Sequence, residues 1–216
     1  MMKKVAIVIV GALMLLSSPK AISQLSNVDG TWSFGGGFTG FSLGGADIQK
    51  VRDKGFNSMI PGFYFGASLD YAFSSVDGLT VEPGAYLAHY GKTFKFGTGE
   101  SDHKAYHANY LTIPLNLKYA FPMDDSSFGM AVYTGPRFNI GVGGNMFSTG
   151  KNYPGLKPVD AQWGFGLAVT VAEAIVLRGD YAICLTNSLR DNKDLDFNDL
   201  IIRRNSFFLG VNFLFK

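Results

Sequence analysis

Gly40-Phe41-Ser42-Leu43-Gly44 matches G-x-S-x-G, the spacing of a nucleophile elbow, in which a serine sits on a strained strand-to-helix turn beside oxyanion amides. Here the segment is glycine-rich and runs into Gly45 and a polar stretch with no helix to follow, so the match is read as a by-product of composition. His89, His103 and His107, with Glu100 and Asp102 close by, are ordinary zinc-ligand types, and His103 and His107 stand four apart. That spacing converges only on a helix, and the polar segment around His103 reads as a loop between strands. These side chains are therefore taken as rim polar residues, with no metal site and no cofactor expected. Ser101, Asp102, His103 and His107 also supply the groups that a lipid-modifying enzyme would use at a barrel rim, but nothing fixes their geometry. Asp194-x-Asp196-x-Asn198 opens like a calcium loop, yet Asp199 replaces the required glycine and Asn205 the closing glutamate. No catalytic residue is expected.

One further set of charged residues carries more weight. Asp70, Glu82 and Asp180 oppose Lys118, Arg137 and Arg178, and all six fall at alternate positions of segments whose other face is apolar. Around Leu111 the alternation is cleanest. Leu111, Ile113, Leu115, Leu117 and Tyr119 share one face, and Tyr110, Thr112, Pro114, Asn116 and Lys118 the other. Val81, Pro83, Ala85 and Leu87 oppose Thr80, Glu82, Gly84 and Tyr86. Trp163, Phe165, Leu167, Val169 and Val171 oppose Gln162, Gly164, Gly166 and Thr170, and Ile175, Leu177, Tyr181 and Ile183 oppose Arg178, Asp180 and Cys184. Rougher versions set Phe63, Phe65, Leu69 and Tyr71 against Tyr64, Ser68 and Asp70. Phe128, Met130, Val132 and Phe138 stand against Tyr133, Arg137 and Asn139, and Trp32, Phe34 and Phe38 against Ser33, Gly35, Gly37 and Thr39. The last segment places Phe207, Leu209, Val211, Phe213 and Phe215 together, opposite Ser206, Gly210 and Asn212, with Phe208 and Leu214 as exceptions. That makes eight strands. Pro83, Pro114 and Pro136 lie inside them and predict bulges or bends, because each removes a ladder donor.

Connection lengths alternate as well. Short turns fall near Ser74–Gly78, Pro122–Ser126 and Val171–Ala174, and long polar loops at Leu43–Met59, Gly91–Tyr106, Val142–Asp160 and Asn187–Ile202. Short periplasmic turns with long outer loops are the asymmetry of an outer-membrane barrel. The start of the chain agrees: Lys3-Lys4, the apolar run Val5–Leu16 and Ala21-Ile22-Ser23 read as a secretory signal peptide over residues 1–23, leaving a barrel domain over 24–216. No apolar run of about 18 residues follows, so no membrane helix is expected. Removing Lys3, Lys4 and Lys20 leaves 16 basic against 17 acidic residues, a net −1, so the basic balance of the whole chain implies no nucleic-acid partner. Cys184 is the only cysteine and excludes an intrachain disulfide.

The stretch Asn109-Tyr110-Leu111-Thr112-Ile113-Pro114-Leu115, then Gly135-Pro136-Arg137, Arg178-Gly179-Asp180-Tyr181, Thr186-Asn187 and the strand Gly210–Phe215 resembles the outer-membrane β-barrel domain family that includes PorT-like proteins of Gram-negative bacteria, similar in shape to OmpX and the OmpA barrel. The resemblance implies a fold and a location but no single role, because such barrels are scaffolds for unrelated functions. The expected architecture is all-β: one eight-stranded antiparallel up-and-down transmembrane β-barrel in the outer membrane. Its lumen is closed by ion pairing among Asp70, Glu82, Lys118, Arg137, Arg178 and Asp180, and its apolar residues point outward. Aromatic girdles are expected from Trp32, Tyr71, Tyr119, Phe121 and Phe215. The function expected is non-enzymatic, structural or interaction-based, with accessory work in secretion as one case; a small porin-like channel and a lipid-modifying enzyme are the alternatives. Expected partners are outer-membrane lipid, the barrel-assembly machinery during biogenesis and a protein bound through the long loops.

Overall fold

Alternating bulky apolar and small or polar residues give each segment one face for lipid and one for an interior. The computed structural model describes residues 30–51, 59–73, 76–95, 103–123, 128–148, 155–171, 173–190 and 200–215. Its strands are β1 (Gly30–Gly44), β2 (Ile60–Ala72), β3 (Leu79–Lys95), β4 (His103–Phe121), β5 (Phe128–Gly143), β6 (Val159–Val171), β7 (Ile175–Cys184) and β8 (Arg203–Phe215). They follow one another in chain order around a closed barrel. β1 and β8 close it antiparallel, from Trp32 opposite Phe215 to Gly44 opposite Arg203. Closure leaves no unpaired edge, the condition for sheet to cross a bilayer. A short helix α1 (Ile48–Val51) follows β1, and a 3-10 turn (Asn145–Phe147) follows β5. The proposed signal peptide lies outside the described residues.

The outer face is the lipid-facing one. Phe38 (75% exposed), Leu167 (59%) and Leu209 (60%) show how fully it presents apolar side chains. Phe208 and Leu214, the two exceptions of the last strand, turn inward. Phe208 packs on Tyr64 with ring centroids 4.8 Å apart, and Leu214 joins Ala131, Tyr133, Ala168 and Val176 in a small cluster near the turns. All five girdle aromatics sit at the turn end. Trp32 stacks with Phe34 at 6.2 Å, Phe34 meets Phe215 at 5.6 Å, and Tyr119 meets Phe121 at 5.5 Å.

Two expectations are corrected. The strand prolines make no bulges: register runs unchanged past Pro83 (opposite Leu115), Pro114 (opposite Arg137) and Pro136 (opposite Trp163). Each proline forgoes its donor, and beside two of them the pairing is interrupted, between Pro83 and Tyr86 and between Pro114 and Leu117, before it resumes in the same register. The β4–β5 shift falls instead between Asn109 and Tyr110. The connection expected over Gly91–Tyr106 is also shorter, since β3 continues to Lys95 and β4 begins at His103. Both faces meet water beyond the membrane, so the apolar alternation ends there while the ladder goes on. The turn before β3 carries Gly78 at φ +79°, where a Cβ would run into the Ala120 carbonyl oxygen; only glycine serves.

Candidate functional site: the barrel lumen and its rim

Inward positions of β2, β3, β4, β5 and β7 deliver the six charged residues to one level of the lumen. Lys118 Nζ lies 2.6 Å from Asp70 Oδ2 and 3.6 Å from Glu82 Oε2. Arg178 Nη2 donates to Glu82 Oε1 at 2.8 Å, and Asn116 Nδ2 to the same oxygen at 3.1 Å. Arg137 Nη2 donates to Asp180 Oδ1 at 2.7 Å. Tyr133 joins the halves: its hydroxyl donates to Asp180 Oδ2 at 3.2 Å and accepts from Arg178 Nε at 3.3 Å. One polar chain therefore runs Asp70, Lys118, Glu82, Arg178, Tyr133, Asp180, Arg137. The guanidinium of Arg178 also lies 4.6 Å over the Tyr133 ring, and that of Arg137 lies 4.4 Å over Phe208. Stacking and hydrogen bonds together offset the cost of taking these charges out of water.

A second pair closes the loop end, and sequence reading missed it. Arg204 Nε donates to Asp160 Oδ2 at 2.9 Å, with both side chains 1% exposed. The Arg204 guanidinium is caged by Tyr110 (4.2 Å), Phe41 (5.3 Å) and Tyr90 (5.5 Å). Asn139 Nδ2 holds the other Asp160 oxygen at 2.7 Å. The signal was present: the inward rows 208, 206, 204 of β8 and 162, 160 of β6 extend the alternation by one or two more steps. The loop boundary expected from the sequence runs through Asp160, whereas β6 already begins at Val159.

Apolar side chains do point inward here, contrary to expectation. Phe41, Leu43, Ile60, Met146, Leu156, Leu189, Leu200 and Ile202 are buried in a cluster around Tyr90 and Tyr110. They come from the loop ends of strands and from loop roots, where the mouth of the barrel must be stoppered against water. They fill space rather than line a cavity. The interior opening near Arg137, Tyr64, Tyr86 and Phe208 measures about 20 Å³, room for about one water molecule.

The remaining candidates stay apart from the lumen. Ser42 lies within β1, opposite Asn205, in continuous strand, so no elbow forms. His89 and His107 sit on the outer wall, with ring centroids 6.3 Å apart. His89 Nδ1 faces Asn109 Oδ1 at 2.7 Å, and the backbone amide of His107 donates to Asn145 Oδ1 at 2.7 Å. His103 opens β4 opposite Lys95 in extended strand, so its four-residue spacing from His107 is not helical. Glu100, Ser101, Asp102, Asp194, Asp196 and Asn198 lie outside the described residues. Among the described residues, no three His, Cys, Asp or Glu are grouped to hold a metal ion.

A closed eight-stranded barrel with a lipid-facing apolar wall and an ion-paired interior defines an integral outer-membrane barrel protein. The chain belongs to the outer membrane protein β-barrel domain family, whose sequence model matches residues 23–190, and the outer membrane is its location. No curated protein sequence matches it. Among solved structures it is similar to Ail, the attachment invasion locus protein of Yersinia pestis, at 12% identity and TM-score 0.47, over 87% of this chain and 99% of that one. It is also similar to neisserial surface protein A at 13% identity and TM-score 0.45, over 88% and 99%. OprG of Pseudomonas aeruginosa matches at 11% identity and TM-score 0.45, over 87% and 97%.

Proposed function

We propose that this protein is a non-enzymatic interaction barrel, a closed membrane platform that presents its long loops to a protein partner. Accessory work in secretion or surface assembly is the case most in keeping with the family resemblance. The observation that supports this reading is the filled interior. The charge chain occupies the middle of the lumen, and the apolar stopper with Arg204–Asp160 occupies its mouth. A barrel whose described interior is filled in this way, with an opening of only about 20 Å³, has its loops and turns left for specificity. No residue of the lumen or rim is assigned a catalytic role.

Crosslinking in intact cells, followed by isolation from outer membranes and mass spectrometry, tests the reading. One partner recovered in near-stoichiometric amount, and lost when residues 96–102 are replaced by a short turn, is the expected result. Discrete conductance steps in a planar bilayer that change on substituting Arg137 or Arg178 would overturn it in favour of a small pore.

A further inference from the structure

The outer wall is not uniformly bulky. Where β1 to β4 pass mid-membrane, Ala67 and Ala85 face each other across the β2–β3 ladder and form the floor of a concavity of about 490 Å³. Phe34, Phe65, Leu87 and Leu111 wall it in, and among the described residues no charged side chain lines it. Further along the same outward columns come Phe63 and His89, paired with each other, then Asn109 and His107. The Phe63 and His89 rings lie 5.0 Å apart. The bond to Asn109 fixes His89 by its Nδ1, which turns Nε2 toward the strand position of Gly91, 3.4 Å from where a Cβ would stand there. Gly91 is opposite His107, so a slot without a side chain lies beside the two imidazoles, next to His89 Nε2.

Depth makes these two features one site. From Tyr119 in the turn-end girdle to Asn109, β4 rises about 26 Å along the membrane normal at ordinary strand rise and barrel tilt. An outer-membrane barrel carries an apolar band about 25 Å tall, so the His89–Asn109 row stands where the outer headgroups begin. The Ala67–Ala85 floor lies about 10 Å below that row on the same reckoning, within the half-thickness of about 15 Å that an outer-leaflet chain spans.

We infer that this wall binds one phosphate-bearing lipid of the outer leaflet, its phosphate at the His89–His107 slot and one acyl chain in the Ala67–Ala85 notch. The occupant follows from two observations. The notch is continuous with the lipid-facing belt, and it leads up to paired imidazoles rather than to another apolar surface. With Nδ1–H donating to Asn109 Oδ1, Nε2 donates to a phosphate oxygen in the imidazolium form, and that bond is charge-assisted and stronger than a neutral one. This inference is independent of the loop-bound partner proposed above.

The test is native mass spectrometry of the full chain in detergent, titrated with diphosphoryl lipid A or its dephosphorylated form. One diphosphoryl lipid A retained per chain is expected. Retention falls about tenfold in the double variant His89→Gln/His107→Gln, the scale of one lost charge-assisted bond, and the dephosphorylated lipid is retained as poorly. Ala85→Phe fills the notch and lowers retention similarly; Ala67→Leu serves if that variant does not fold. Equal retention by wild type and variants, or of both lipid forms, would overturn the site. So would a second copy of the chain on the notch, seen as a dimer that Ala85→Phe converts to monomer.

Discussion

Arg178 and Glu82 stand 96 positions apart in sequence, on β7 and β3, and meet at 2.8 Å across the buried lumen. The contact bridges strands that are not neighbours in the ladder. It ties opposite sides of the barrel together, which no cross-strand pair can do. Glu82 also takes Lys118 and Asn116, so it is the member whose loss strands the most charge.

Glu82→Ala leaves Arg178 and Lys118 facing each other with only one carboxylate, Asp70, beside Lys118. Removing one partner of a buried pair costs about 3–5 kcal/mol. Urea unfolding in lipid vesicles should show a loss of that size, and Glu82→Gln should retain part of it because the amide oxygen still accepts a hydrogen bond.

Arg204 and Asp160 allow the complementary comparison. Arg204→Met alone strands a buried carboxylate and is expected to destabilise by about 3–5 kcal/mol. Arg204→Met with Asp160→Leu replaces the pair by apolar residues in a cage already built of Phe41, Tyr90 and Tyr110. The double variant should lie within about 1 kcal/mol of wild type or above it, read from the same unfolding curves.

Gly166 is where the network meets backbone. A Cβ there would collide with the Tyr133 ring, which links Arg178 to Asp180. Gly166→Val should cost about 3 kcal/mol, the upper end of the range typical of overpacking. Gly129→Ala, whose Cβ would meet Thr170 at an ordinary 3.5 Å, should fold with wild-type stability.

Leu209 tests the lipid face directly. It is 60% exposed near the middle of β8, where an arginine costs about 2–4 kcal/mol in a bilayer. Ile201 is also exposed but precedes the strand. Ile201→Arg should change vesicle unfolding by less than about 1 kcal/mol, as expected near an interface.

The strand count, their antiparallel order and the inward placement of Asp70, Glu82, Lys118, Arg137, Arg178 and Asp180 were legible because alternation of two is a local property, visible in β4 residue by residue. Who meets whom was not. The Arg178–Glu82 contact depends on lumen width and on the relative height of β3 and β7, which no single segment carries. Arg204–Asp160 and the apolar stopper escaped for another reason. Near the mouth the interior is sealed by Phe41 and Ile202, so an apolar residue no longer marks the outer face. The prolines misled in the opposite direction, since a ladder this long absorbs three missing donors without shifting register.

The seam between β1 and β8 sets the order of events when the protein is made. Trp32 pairs with Phe215, so the ladder cannot be completed until β8 has been delivered. The seven hairpin-type pairings are local and can nucleate early, whereas the closing one must bring together the far ends of the barrel, the slowest kind of contact to form. Until that moment two strand edges stay unpaired. A chain built this way completes its hydrogen bonding only when that seam is zipped, and until then it cannot meet the rule that a bilayer tolerates no open sheet edge.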